Sequence, residues 1–183
     1  AGGGRPGGRA ARALGIAVHG VLERIDMTGR DVGVLSEEES ARVGRPDLAQ
    51  EVRRLVERAL ASPIVREAIA APRCTREMPF VLAGDTFLCE GRCDLVFESS
   101  GSITIVDFKT DAVLTPEEVD ARAEIHRPQA LIYARALSQI TGMTVSRVVL
   151  LFVRPDVERV FKVDENFLRE GRLLIESGTP QPG

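Results

Sequence analysis

Residues 145–153, "VSRVVLLFV", run almost without a polar break. A strand with one solvated face alternates apolar and polar side chains. A nearly continuous apolar run therefore belongs to a sheet covered on both faces. Helical patterns flank it in sequence. "LGIAVHGVLERID" sets Leu14, Val18, Val21, Leu22 and Ile25 on one stripe, with His19 and Glu23 one turn apart beside it. Residues 46–60 form a second amphipathic helix, with Leu48, Val52, Leu55, Val56 and Leu60 inward. "MTGRDVGVLSEEES" between the two reads as a polar loop. Ser62 is expected to cap a short helix that has Pro63 at its first position and ends at Pro72.

The middle of the chain is β. "CTREMPFVL" is a strand at a sheet edge, because Pro79 has no N–H for a ladder. "TFLCEGRCDLVFE" and "ITIVDFKT" follow, split by the hairpin turn "SSGS". Helices then return. Thr115, Pro116 and Glu118 make a capping box, and "RPQALIYARALSQITG" is a further helix stopped by Gly142. "ERVFKV" adds a strand and "NFLREGRLLIES" a final helix. The order is α–α–α, β–β–β, α–α, β–β, α, an α/β domain over residues 14–176. Residues 1–13, rich in Gly and Arg, read as a flexible linker, and residues 177–183 as a disordered tail. That start suggests a piece of a longer protein.

With 183 residues, 44% hydrophobic, the chain can bury one real core. A net charge of −3 excludes a polycation, so an anionic substrate must be held locally, by a metal or a small basic patch. Three cysteines, Cys74, Cys89 and Cys93, leave no disulfide framework and fit a reducing, cytoplasmic setting. Cys89 and Cys93 lack the further ligands of a zinc or iron–sulfur site and read as core residues. No apolar run approaches the ~20 residues of a membrane span, and no signal peptide is seen.

The hairpin carries the chemistry. In "GSITIVDFKTD" the strand alternation puts Asp107 and Lys109 on one face, where apolar residues are expected. With Ser100 and Gly101 at the centre of the turn, opposed residue numbers sum to 201. Asp94 then faces Asp107, with Cβ atoms ~5 Å apart. Two carboxylates that close repel, and one must keep its proton unless a cation intervenes. Hard oxygen ligands suit Mg²⁺ or Mn²⁺, and a lysine beside them can orient or deprotonate an attacking water. The same register opposes Arg92 to Lys109, a like-charge pair.

At this point a resemblance becomes specific. "EGRCDLVFESSGSITIVDFKTD" resembles the nuclease core of the PD-(D/E)xK superfamily, and more narrowly the RecB-like nuclease domain at the C-terminal end of AddA- and RecB-type helicase–nucleases. Five elements of that family occur in order over residues 15–137. They are the His helix "VHGVLE", the Glu strand "REMPF", Gly91 to Asp94, Asp107 to Lys109, and Gln129 to Tyr133.

The resemblance implies a restriction-endonuclease-like core and a set of roles. Asp94 and Asp107 would be metal ligands and Lys109 the catalytic lysine. His19 would complete the metal site. Gln129 and Tyr133 would contact water or DNA phosphates, and Glu77 would join the site. It implies a Mg²⁺- or Mn²⁺-dependent deoxyribonuclease, exonuclease rather than endonuclease, in DNA double-strand-break repair. Its partners would be DNA, single strands preferred, and a helicase motor in the same or a partner chain. The four-cysteine iron–sulfur staple of some relatives is absent. Arg127, Arg135 and Lys162 are further candidates for holding DNA.

Plainer readings stand beside these. Asp107 and Lys109 could form a solvated edge ion pair, and His19 could pair with Glu23 on the helix surface. The whole domain could be a silent nuclease-like module that grips DNA or docks a partner. A carboxylate-pair glycosidase is a further alternative, which the lysine fits poorly.

Overall fold

The computed structural model describes residues 6–26, 29–83 and 88–177. Residues 1–5 of the expected linker and 178–183 of the expected tail lie outside them. Among the described residues, six helices and five strands follow one another, four helices before the first strand and one between the third and fourth: α1 (Pro6–Arg24), α2 (Val32–Arg42), α3 (Ala49–Ala61), α4 (Pro63–Ala70), β1 (Arg73–Ala83), β2 (Leu88–Ser99), β3 (Ser102–Lys109), α5 (Pro116–Thr141), β4 (Val145–Phe152), β5 (Val157–Lys162) and α6 (Glu165–Glu176). A short 3₁₀ turn, Pro46–Leu48, leads into α3.

The sheet has the order β1-β2-β3-β4-β5. Neighbours pair antiparallel except β3 and β4, which run parallel and are joined through α5. A parallel pair needs such a crossover, and its helix covers one face of the sheet. Val148 through Val153 are all fully buried, so β4 has no solvated side. One face packs Val106, Phe108, Val149 and Leu151 against the α1 stripe and against Val52, Leu55 and Ile64. The other packs Ile103, Ile105 and Val148 against Leu131, Ala134 and Leu137 of α5 and Phe167 and Ile175 of α6. The result is a three-layer α/β/α core. Edge strand β1 carries Pro79, as its missing N–H requires. No helix among the described residues is long and apolar enough to cross a membrane.

Four local expectations are revised. Helix α1 starts at Pro6, so residues 6–13 are helical rather than linker. The polar loop after α1 contains α2, which has few apolar residues to signal it. Buried Glu39 anchors this helix, accepting from Arg24 of α1 at 2.8 Å and from Arg42 at 2.6 Å. Ser62 precedes α4, but its hydroxyl donates back to the Ala59 carbonyl instead of capping. The two helices expected after β3 are one, α5, which continues through Pro128. That proline removes only the bond to the Glu124 carbonyl, and Glu124 is exposed, so water can replace it. The capping box at Thr115 and Glu118 and the left-handed Gly142 stop form as expected.

Candidate active site

The β2–β3 hairpin has the expected register, with pairs from Leu95↔Val106 to Ser99↔Ser102 all summing to 201. Ser100 and Gly101, at φ 51° and 77°, supply the positive φ angles that a tight two-residue hairpin needs. The ladder stops at Leu95↔Val106. One residue further, the Asp94 carboxylate replaces the backbone partner: its Oδ2 accepts from the Phe108 N–H at 2.7 Å. The strands part there. Arg92 is therefore paired with Pro79 of β1, not opposed to Lys109, and the like-charge clash does not arise.

The opening between the strands admits α1. His19 Nδ1 lies 3.7 Å from Asp94 Oδ2, with the Phe108 backbone close to its ring. It is not paired with Glu23, which turns to Arg92 at 3.5 Å. Burial lowers the His19 pKa; Lys109 acts the same way, and Asp107 opposes it. The imidazole is thereby kept neutral, the form that binds a cation.

Asp107 is almost wholly buried, 3% exposed. Lys109 Nζ lies 2.6 Å from its Oδ2. That contact is not aligned as a hydrogen bond, and the oxygen has no other partner among the described residues. The ammonium instead donates to Gln129 Oε1 at 2.7 Å, and Gln129 Nε2 donates to the Tyr133 hydroxyl at 2.7 Å. Four residues apart on α5, Gln129 and Tyr133 stand one above the other. Burial, with Asp107 next, pushes the Tyr133 pKa up, so the phenol keeps its proton. Phe80 packs edge-on against its ring at 5.6 Å between centroids.

Burial raises the Asp94 pKa well above the usual carboxylate range, and Asp107 adds to that; the Phe108 N–H and Lys109 oppose it. The two acids thus carry an electrostatic conflict. Among the described residues, no three His, Cys, Asp or Glu side chains enclose a cation unaided. The donor set nevertheless fits a hard divalent ion. It offers two carboxylates, one buried with an oxygen that among the described residues makes no hydrogen bond and faces only the Lys109 ammonium, and a neutral imidazole, and such ions keep several waters or phosphate oxygens.

Glu77 stands across from Asp94, at a position the β1–β2 ladder skips. Its backbone is left-handed, φ 48°, and the alternation of faces slips there: Cys93 packs with α5 and Leu95 with α1. The register is the same on both sides of this break, so the left-handed Glu77 turns the side chains there without adding a residue to either strand. Burial, then Glu23, raises the Glu77 pKa, and Arg92 approaches it at 3.5 Å. The structure thus gathers His19, Asp94, Asp107, Lys109, Gln129 and Tyr133, with Glu77 at the rim. Arg127 is engaged elsewhere, paired with Glu170 at 2.8 Å over the Phe167 ring.

Sequence reasoning missed three residues beside Lys109. Asp111 accepts from His126 at 3.0 Å and pairs with Arg122 at 3.2 Å. No local pattern marks them; only the contact between the end of β3 and α5 brings them together.

Comparison with known proteins agrees with this architecture. The chain is similar to an ATP-dependent helicase/nuclease subunit of Acetivibrio thermocellus, 32% identical over 149 residues, covering 72% of this chain and 12% of that protein. The protein of the same name from a Bacillus cereus strain is 28% identical over 179 residues, covering 82% and 14%. The chain thus spans about an eighth of the length of these relatives. The fold is shared with a crystal structure described as a putative exonuclease from Eubacterium rectale, at a TM-score of 0.52 and 14% identity, covering 81% of this chain and 62% of that one. Residues 2–176 match the family model of the PD-(D/E)XK nuclease superfamily, and the chain belongs to that superfamily.

Proposed function

We propose that this chain is a Mg²⁺- or Mn²⁺-dependent DNA nuclease domain, hydrolysing phosphodiesters at the parted end of β2 and β3. One observation carries the reading: Asp107, almost wholly buried, lies 2.6 Å from a lysine that Gln129 holds at 2.7 Å, and Asp94 beside it lies 3.7 Å from His19. Asp94, Asp107 and His19 would hold the cation. When bound, it makes water more acidic and offsets charge building on the phosphoryl group. The chain's own residues do the rest. Lys109, held by Gln129, orients the attacking water and exchanges a proton with it. Gln129 is itself aimed by Tyr133, whose protonated phenol accepts from its amide. Glu77 draws Arg92 to the rim, where a phosphate can exchange for a carboxylate.

The likeness to helicase/nuclease proteins supports further parts of the proposal. The domain, residues 14–176 with α1 extended back to Pro6, acts beside a helicase motor in the same or a partner chain. Its setting is cytoplasmic double-strand-break repair, and it works as an exonuclease on single strands in preference to duplex. With a net charge of −3, long-range attraction to DNA is weak, so cleavage should be slow and salt-sensitive. Cleavage of end-labelled single-stranded and duplex DNA across a salt series tests this, with Mg²⁺, Mn²⁺ or EDTA and with or without ATP. The proposal expects metal-dependent, ATP-independent cutting of single strands from an end. Binding without any cleavage would favour the silent-module reading. Tight, salt-insensitive duplex cutting would contradict the motor-fed one.

A further inference from the structure

We propose that Asp111, Arg122 and His126 form a positioning clamp that fixes Lys109 against Gln129; the inference rests on the catalytic reading of Lys109 given above. The chain leaves β3 at Lys109 and re-enters regular structure at Pro116 of α5. Two residues past Lys109, both Asp111 oxygens are taken by α5. Oδ2 meets His126 Nε2 at 3.0 Å and Oδ1 meets Arg122 Nε at 3.2 Å. His126 lies one helical turn before Gln129, and the Lys109–Gln129 bond of 2.7 Å ties the same two elements. Two cross-links to α5, one from the end of β3 and one from the loop just past it, thus lie side by side.

Beyond Asp111 the loop meets the start of α5, where the Leu114 and Thr115 N–H groups donate to Glu118; the backbone next to Lys109 is held from other directions. Val153 N–H donates to the Lys109 carbonyl at 2.9 Å, and Arg154 donates to the Thr110 carbonyl at 3.0 Å. Gly15 of α1 lies so near Thr110 that a Cβ there would meet its hydroxyl oxygen at 2.8 Å. None of the contacts made by Val153, Arg154 and Gly15 reaches α5. Between His126 and Gln129 sits Pro128, which removes one helical bond; further back, Val119 and Ala123 pack on Leu150 and Phe152, and Asp111 adds the polar tie nearest Gln129. The His126 ring also rests on Phe152, at 6.3 Å between centroids, and Phe152 is the β4 partner of Lys109. Burial alone would raise the Asp111 pKa. The His126 hydrogen bond and the charges around it overcome burial and hold the pKa low, so Asp111 stays ionised. None of the three clamp residues touches Asp94 or the Asp107 oxygens, so their action is on geometry.

Two measurements test this. The first needs no activity: the Gln129 side-chain amide signals in ¹H–¹⁵N NMR, identified by their loss in Gln129→Ala. Asp111→Ala and His126→Ala should move these signals toward the positions of a free glutamine. His126→Gln keeps a donor for Asp111 and should restore them. Arg122→Ala, at a more exposed position, keeps the test decisive if Asp111→Ala does not fold. The second is steady-state cleavage of a single-stranded oligonucleotide. kcat should fall about 100-fold, as for a misplacement near 1 Å, with KM unchanged. That loss should not add to the loss from Gln129→Ala. Unmoved Gln129 signals in folded variants, or additive losses, would overturn the clamp. An inactive parent would overturn the nuclease reading instead, and the NMR arm would still decide the clamp.

Discussion

In the metal-free protein, Asp94→Asn should stabilise the fold at pH 8 and leave it unchanged at pH 4. Burial and Asp107 raise the folded-state pKa of Asp94 above its unfolded value near 3.8. The native state therefore keeps a proton that the unfolded chain has released. The contribution of Asp94 is full below the unfolded pKa and is lost as pH rises toward the folded one. One such proton changes stability by about 1.4 kcal/mol per pH unit across that window. Asparagine does not titrate, and its Oδ1 can still accept the Phe108 N–H that Asp94 holds at 2.7 Å. The variant thus removes the slope and keeps the bond. At about 2–4 °C per kcal/mol for a chain of this size, the two Tm curves should separate by roughly 3–5 °C for each pH unit inside the window. Thermal melts in EDTA from pH 4 to 8.5 give the difference curve, in which all other titrations cancel. Added Mg²⁺ should reverse the order, because a ligand stabilises only the state that binds it. A difference that stays flat with pH, or an Asp94→Asn protein less stable than the parent at pH 8, would refute the electrostatic conflict between the acids.

Two further outcomes are expected. His19→Ala should weaken Mn²⁺ binding by about tenfold or more in calorimetric titration. In the parent, affinity should hold through pH 6.5 because burial lowers the His19 pKa; an unchanged affinity in His19→Ala would return His19 to the helix surface. Gly171→Ala should lower the urea midpoint. Its Cβ would meet the Leu131 carbonyl oxygen at 2.5 Å, and overpacking of about 1–3 kcal/mol exceeds the helix-propensity gain of up to about 1 kcal/mol. A raised midpoint would show that α5 and α6 can separate at no cost.

Much of this architecture was legible because local physics set it. The stripe from Leu14 to Ile25, the Ser100–Gly101 turn and the apolar run of β4 each follow from periodicity or turn chemistry alone. The hairpin register by itself places Asp94 beside Asp107. Its last step differs because the Asp94 side chain, not its backbone, satisfies Phe108, and the resulting gap depends on the approach of α1. Helix α2 escaped notice because its anchor, Glu39, is held by an arginine from another helix. Helix α5 reads as two because Pro128 suggests a break, yet the residue whose carbonyl it orphans, Glu124, is exposed. Asp111 and His126, fifteen residues apart, carry no local signal. Knowing that Lys109 and Gln129 meet would have brought them into view, since each lies two or three residues from one of that pair.

Single-turnover cleavage of a 5′-labelled single-stranded DNA at saturating Mn²⁺ bears most directly on the central claim, comparing the parent with Asp107→Ala and Lys109→Ala. Melting curves should show both variants folded, with Asp107→Ala losing some stability because Lys109 is left without its 2.6 Å partner. Cleavage should fall by at least about 100-fold in each, the lower end of what a positioned proton-transfer group contributes. Parental rates in a well-folded Asp107→Ala or Lys109→Ala protein would contradict the account.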